Sequence, residues 1–144
     1  MLEVKEGCGM KQLLVVDDES EICDFLKEQL EEMNMTVRAC LTGEEALQVI
    51  DSGRRIHLAV VDLKLSTRTT GLEVLEFFKR KFPGSPAVAI TGYIDMGIEQ
   101  EVKRIGADDY LLKPDGIQPA VFLSHIRKLL AKAGFFDKNR EKTA

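Results

Sequence analysis

The chain has 144 residues, enough for one domain with a sizeable core, and its 44% hydrophobic and 31% charged content is that of a soluble globular protein. Its 20 basic and 24 acidic side chains leave a formal charge of −4, which argues against a nucleic-acid binder or a membrane-surface protein. No apolar run nears the ~20 residues that span a bilayer and no signal-peptide pattern opens the chain; Cys8, Cys23 and Cys40, odd in number and without C-x-x-C spacing, fit free thiols in a reducing cytoplasm.

Residues 1–10 show no pattern and are expected to fray. A first strand over 12–17 (Leu13 to Val16, then Asp17-Asp18) leads to Ser20 as an N-cap and a helix with Ile22, Phe25, Leu26, Leu30 and Met33 at helical spacing. Cys23 falls on that apolar face as a small core residue. Thr36–Cys40 alternates polar and apolar, as an edge strand does. Thr42-x-x-Glu45 reads as a capping box for a second helix burying Ala46, Leu47, Val49 and Ile50, with Gly53 as its C′ residue. Leu58-Ala59-Val60-Val61 runs straight into Asp62, and the polar stretch that follows gives way at Gly71 to a third helix through Leu72, Leu75, Phe78 and Phe82, stopped by Pro83. Ala87–Ile90 ends in Thr91. A fourth helix, capped by Asp95, carries Ile98, Val102 and Ile105 to Gly106. Tyr110-Leu111-Leu112 ends in Lys113-Pro114. Pro119 suits the first turn of a last helix that turns Phe122, Leu123, Ile126, Leu129, Leu130 and Ala133 inward and ends at Gly134.

Five strands alternating with five helices predict an α/β fold, a (βα)₅ doubly wound parallel sheet with right-handed crossovers. The first, third and fourth strands are apolar on both faces and belong in the centre; the second and fifth are more polar and belong at the edges. The strand order 2-1-3-4-5, flavodoxin-like, satisfies this, with its switch point between strands one and three. Asp17, Asp18 and Asp62 then meet Thr91 and Lys113 in one crevice. Three carboxylates raise one another's pKa unless positive charge sits among them. Lys113 supplies one charge and a divalent cation the rest; hard oxygen donors open to water favour Mg²⁺. A metal beside a carboxylate and an ammonium suits phosphoryl transfer.

Asp17-Asp18, Asp62, Thr91 and Lys113-Pro114, with Tyr110 three residues before the lysine, resemble the receiver domain of two-component response regulators over residues 11–133, leaving 134–144 as a short tail. The resemblance implies that Asp62 accepts a phosphoryl group from a sensor histidine kinase or histidine phosphotransfer protein. Asp18 would ligate Mg²⁺ directly, Asp17 through water, and the backbone carbonyl of Lys64 would complete the protein ligands. Thr91 and Lys113 would contact the phosphoryl oxygens, Thr91 and Tyr110 would form a switch, and Lys64 and Tyr93 would tune the lifetime of the phosphorylated state. The Lys113-Pro114 bond is typically cis in the family. Its usual Met-Pro after the acceptor is here Leu65-Ser66, its Asp-Gly is Thr70-Gly71, and the intervening loop is one residue longer; Asp115-Gly116 follows the lysine where an apolar residue is common.

Blander readings stand beside these. Asp17-Asp18 would suit a helix N-terminus, Lys113 a solvated strand end, and Thr91-Gly92 a plain turn; together they favour a site. His57 and His125 lack ligand-spaced partners and read as strand-end and helix-surface residues. Lys79-Arg80-Lys81 reads as a solvated helix end, and Phe135-Phe136 as a segment folding back on the domain. A flavodoxin-like cofactor binder would need a phosphate cradle where Asp17-Asp18-Glu19 repels one. An Asp-nucleophile phosphatase would need a second Asp at position 64, which is Lys. About ten residues after the last helix are too few for an output domain, so the expectation is a stand-alone receiver, or one cut from a hybrid kinase or larger regulator, that acts on a downstream protein target.

Overall fold

The computed structural model describes residues 11–113 and 119–135. The elements are β1 (Lys11–Val16), α1 (Ser20–Glu31), β2 (Met35–Cys40), α2 (Gly43–Ile50), β3 (Leu58–Asp62), α3 (Gly71–Lys81), β4 (Ala87–Thr91), α4 (Met96–Ile105), β5 (Asp109–Leu112) and α5 (Pro119–Lys132). All strands pair in parallel in the order β2-β1-β3-β4-β5. The chain therefore reverses direction across the sheet between β1 and β3, and the crevice of a doubly wound sheet opens at that point.

Alternation along the strands divides the core in two. Leu13, Val15, Leu58, Val60, Val88 and Ile90 cluster with Cys23, Leu26 and Leu30 of α1 and Phe122, Ile126 and Leu130 of α5. Leu14, Val16, Ala59, Val61, Ala87 and Ala89 cluster with Ile50 of α2, Phe78 of α3 and Val102 of α4. The alanines lie on the same side as Phe78, so small strand residues leave depth for the large helical one. Both faces of β1, β3 and β4 are covered, which is why these strands read as continuous apolar runs. Among the described residues, no helix is long and apolar enough to cross a membrane.

The element ends show where local chemistry departs from the sequence pattern. β1 stops at Val16, and Asp17 lies just beyond it, its N–H donating to the Cys40 carbonyl at 3.1 Å. Ser20 is the first residue of α1 and not its cap; Glu19 holds the cap position without a side-chain capping bond, because its carboxylate meets Lys113 at 3.2 Å. At α2, Thr42 accepts from the Glu45 N–H, but the Glu45 carboxylate accepts from Leu41 at 3.3 Å, so the box closes one residue early. Gly53 has a positive φ of 95°, two residues past the C-cap Asp51. The complete reciprocal box is at α3, between Thr70 and Glu73. Asp95 caps α4 by accepting from Ile98 at 3.1 Å, yet the Ile98 side chain is exposed and Val102 is the buried residue of that helix.

At the N-terminal edge of the sheet, Phe135 folds back on the core. Its ring meets His57 edge-on at 4.8 Å, with the Lys11 ammonium at 5.8 Å and the Arg55 guanidinium at 5.3 Å from the ring centre. His57 is a strand-end residue as expected, accepting from the Gln12 N–H through Nδ1 at 3.0 Å. His125, on α5, is paired rather than simply solvated: its Nδ1 lies 3.0 Å from Asp109. Lys79 is likewise no free helix end, since its ammonium bridges the Ser85 carbonyl at 2.9 Å and Asp108 at 3.2 Å. The expectations for residues 1–10, the Lys113-Pro114 bond, Asp115-Gly116 and Phe136 lie outside the described residues.

Candidate functional site

The C-terminal ends of the strands deliver the polar groups that apolar runs would otherwise exclude. Asp62 closes β3 and is 1% exposed, Asp17 follows β1 and is fully buried, and Thr91 closes β4 at 2% exposure. Lys113 follows β5, held in register by its N–H to the Thr91 carbonyl at 2.8 Å. Its ammonium reaches Asp62 Oδ2 at 3.1 Å, Asp17 Oδ2 at 3.2 Å and Glu19 Oε1 at 3.2 Å. One cation thus serves three carboxylates.

The balance is incomplete. Burial pushes the Asp17 carboxyl up to about 6, against the Glu19 N–H that donates to it at 2.8 Å and the Lys113 charge; Asp62 nearby adds to the rise. Burial also opposes the Lys113 charge, but the Asp62 carboxylate, with Asp17 and Glu19, outweighs it and holds the ammonium above its ordinary pKa. The ammonium contacts leave Asp17 Oδ2 and Asp62 Oδ2 buried without a directed hydrogen bond, which buried carboxylate oxygens rarely tolerate. One oxygen each from Asp17, Asp18 and Asp62 lies within 4.8 Å of the others. An all-oxygen acidic set with two unsatisfied oxygens fits a small hard cation such as Mg²⁺.

Glycines make the crevice compact. A Cβ on Gly71 would run into the Asp62 carbonyl, so only glycine lets α3 start directly against the end of β3. A Cβ on Gly43 would strike the Thr69 carbonyl in the same way, at the junction of α2 with the β3–α3 loop. That loop is tied at several points. Ser66 donates to Asp18 Oδ2 through both its N–H at 2.9 Å and its hydroxyl at 2.6 Å, and the hydroxyl bond, ahead of burial, sets the Asp18 pKa below its usual value. Thr67 Oγ1 accepts from the Gly43 N–H at 3.2 Å and donates to the Thr69 carbonyl at 2.7 Å, and the Thr69 N–H donates to Glu44 at 2.7 Å.

On the other flank, the Thr91 hydroxyl donates to the Tyr93 carbonyl at 2.8 Å. The Lys64 ammonium lies 3.3 Å from the Tyr93 hydroxyl and 4.4 Å from its ring centre, while the Lys64 N–H donates to Asp62 Oδ1 at 3.0 Å. Tyr110 is half-buried, and its hydroxyl accepts from the Asp95 N–H at 3.2 Å, so it is bonded to the cap residue of α4 and not left in water.

The residues singled out in the sequence (Asp17, Asp18, Asp62, Lys64, Thr91, Tyr93, Tyr110 and Lys113) thus converge on one sheet edge and its rim. Glu19 and Ser66 were not among them. Glu19 follows the acid pair directly, a position that was legible. Ser66 meets Asp18 across 48 residues, and its only signal was its place in the departing Leu65-Ser66 pair.

Comparison with known proteins gives one answer. A family model described as "Response regulator receiver domain" matches residues 13–127. The regulatory protein VanR of Enterococcus faecium is 33% identical over 135 residues, covering 90% of this chain and 54% of VanR. The chain spans about half the length, or less, of the curated relatives it matches. A CheY-like receiver domain protein of Methanospirillum hungatei superposes with a TM-score of 0.81 at 31% identity, over 88% of this chain and 98% of that one. A Burkholderia pseudomallei response regulator, solved with a phosphorylated aspartic acid, calcium ion and citrate, gives 0.72 at 25% identity, over 93% and 73%.

Proposed function

The chain belongs to the response regulator receiver domain family, and on that footing we propose that Asp62 accepts a phosphoryl group from a phosphohistidine of a sensor histidine kinase or a histidine phosphotransfer protein in the cytoplasm. The observation that carries the reading is Asp62 itself, a buried carboxylate at the switch point with one oxygen on Lys113 and no directed hydrogen bond there. The unit is residues 11–133, with 1–10 and 134–144 flanking it. It is a signalling domain whose only chemistry is to gain and lose its own phosphoryl group.

In the transfer, an Asp62 oxygen attacks phosphorus, the histidine N–P bond breaks, and the imidazole leaves with the bond's electron pair and takes up a proton. Lys113 sits beside that oxygen and pairs with the incoming phosphoryl charge. Asp17, Asp18, Asp62 and the Lys64 carbonyl are the groups that would hold Mg²⁺; when bound, the ion supplies charge neutralisation to the phosphoryl oxygens. Asp17 Oδ2 and Asp62 Oδ2, which meet the Lys113 ammonium but have no directed hydrogen bond, support that assignment. Phosphorylation adds about −1.5 to −2 charges by analogy with other phospho-residues. The Thr91 hydroxyl would leave the Tyr93 carbonyl for the phosphoryl oxygens, and Tyr110 would turn into the vacated space. In doing so it would release Asp95 and alter the α4-β5-α5 face for a downstream protein. The Lys64–Tyr93 pair screens the acceptor from water and lengthens the phosphorylated lifetime.

Phosphorylation by a small phosphodonor with Mg²⁺ tests the reading. Asp62→Asn should incorporate nothing at this site. Thr91→Ala should still accept phosphate, yet the Tyr110 and α4 NMR signals that a phosphoryl mimic moves in the parent should stay still. Lys64→Ala combined with Tyr93→Ala should speed decay of the phosphorylated protein. Incorporation into Asp62→Asn equal to the parent's would overturn the assignment.

A further inference from the structure

One oxygen of the Asp18 carboxylate, Oδ2, is already engaged by the loop. It carries two donors, the Ser66 N–H and the Ser66 hydroxyl, and a carboxylate oxygen has two lone-pair sites. A cation approaching this oxygen finds neither lone pair free. The two donors exist because position 66 is serine; a proline, which the family resemblance leads one to expect there, has neither an N–H nor a hydroxyl. We propose that the β3–α3 loop is a latch on the cation site: Ser66 competes with the divalent cation for Oδ2 of Asp18, and a cation that takes this oxygen releases the loop from both Asp18 and the start of α2. This rests on the reading of Asp17, Asp18 and Asp62 as a cation site.

The loop is built for release as one piece. Ser66 is exposed, so its bonds to Asp18 open into water, which replaces them at little cost. One residue on, Thr67 holds the Gly43 N–H and the Thr69 carbonyl, and Thr69 reaches Glu44. Gly43 packs so closely on the Thr69 carbonyl that the loop and the first turn of α2 share one arrangement. Freeing Ser66 therefore loosens these contacts too.

Calorimetric Mg²⁺ titration of the parent chain and of Ser66→Ala, with amide NMR of both, tests the latch. Losing a hydroxyl bond to a carboxylate should tighten Mg²⁺ binding about tenfold. In the parent, Mg²⁺ should move the Gly43 and Thr69 amide signals. Thr67→Ala, which cuts the loop from α2 without touching Asp18, should tighten binding to a smaller degree and carries the test if Ser66→Ala disturbs the fold. Equal or weaker binding by both variants overturns the latch and makes Ser66 a positioning residue for Asp18, while leaving the cation site standing. No Mg²⁺ binding by the parent overturns the latch and the cation site together.

Discussion

At the residue scale the crevice turns on what burial does to a carboxylate. Asp17 is fully buried and pushed up to about 6 from an ordinary 3.8. Between those values the folded cation-free protein holds a proton there that the unfolded chain releases. This group's contribution therefore stabilises the fold as pH falls through 6 toward 4 and is lost as pH rises, by about 3 kcal/mol in all. A cation must displace that proton, so Mg²⁺ affinity should be level above pH 7 and fall as pH drops below 6, up to about tenfold per unit. Mg²⁺ titrations at pH 5, 6, 7 and 8 check this; a flat series would mean that Asp17 is ionised throughout. Burial likewise pushes the Cys23 thiol up to about 11 and Cys40 to about 12, and Cys23 is buried as the small core residue its place on the apolar face of the first helix predicts. Asp17, Asp62, Thr91 and Lys113 were legible because each breaks an apolar run where that run must end. Ser66 was not, because a polar residue in a polar loop carries no periodicity, and its partner is 48 residues away.

At the scale of elements, helix starts separate what a pattern can suggest from what geometry decides. Ser20 follows three acids and precedes an apolar periodicity, all that a sequence offers for a cap, yet Glu19 stands at the cap position with its carboxylate drawn to Lys113. Thr70, inside a departure from the family pattern, makes the full reciprocal box with Glu73, bonded at 3.2 Å in one direction and 2.8 Å in the other. Thr70→Ala should cost about 1 kcal/mol of stability, whereas Ser20→Ala should change it by no more than ~0.5 kcal/mol, as for a surface site. Urea denaturation of the two variants beside the parent gives the comparison. A loss at Ser20 matching that at Thr70 would mean that the cap bonds do not govern these helix starts. The strands were easier to place, since period-two burial on both faces leaves one central set. Ile98 misled because helical spacing fixes a direction along α4 but not how deeply that side of the helix is covered.

Over the whole molecule, the division into central and edge strands was legible in the apolar pattern, and the order 2-1-3-4-5 satisfied it: runs apolar on both faces need neighbours on both sides, and edge strands tolerate polar residues. Parallel pairing then sends every strand's C-terminal end to one side, which gathers the acids and the lysine without a dedicated motif. The opposite side is occupied by Phe135 between Lys11, Arg55 and His57. The three central strands, of five or six residues, put the two sides roughly 17 Å apart, at about 3.3 Å per residue. A chain leaving Phe135 therefore starts from the foot of the sheet, with the acids at its head. Anchored to a sensor chip through that foot, the protein would stand with its crevice facing the liquid. Phosphate uptake by chip-bound protein should match that of free protein, whereas coupling through the 64–70 loop, at the mouth of the crevice, should depress it. Equal losses from either attachment would mean that the two sides are not independent. Phe135 thus pins the end of the described chain at one side of the sheet, the side away from the acids and the lysine.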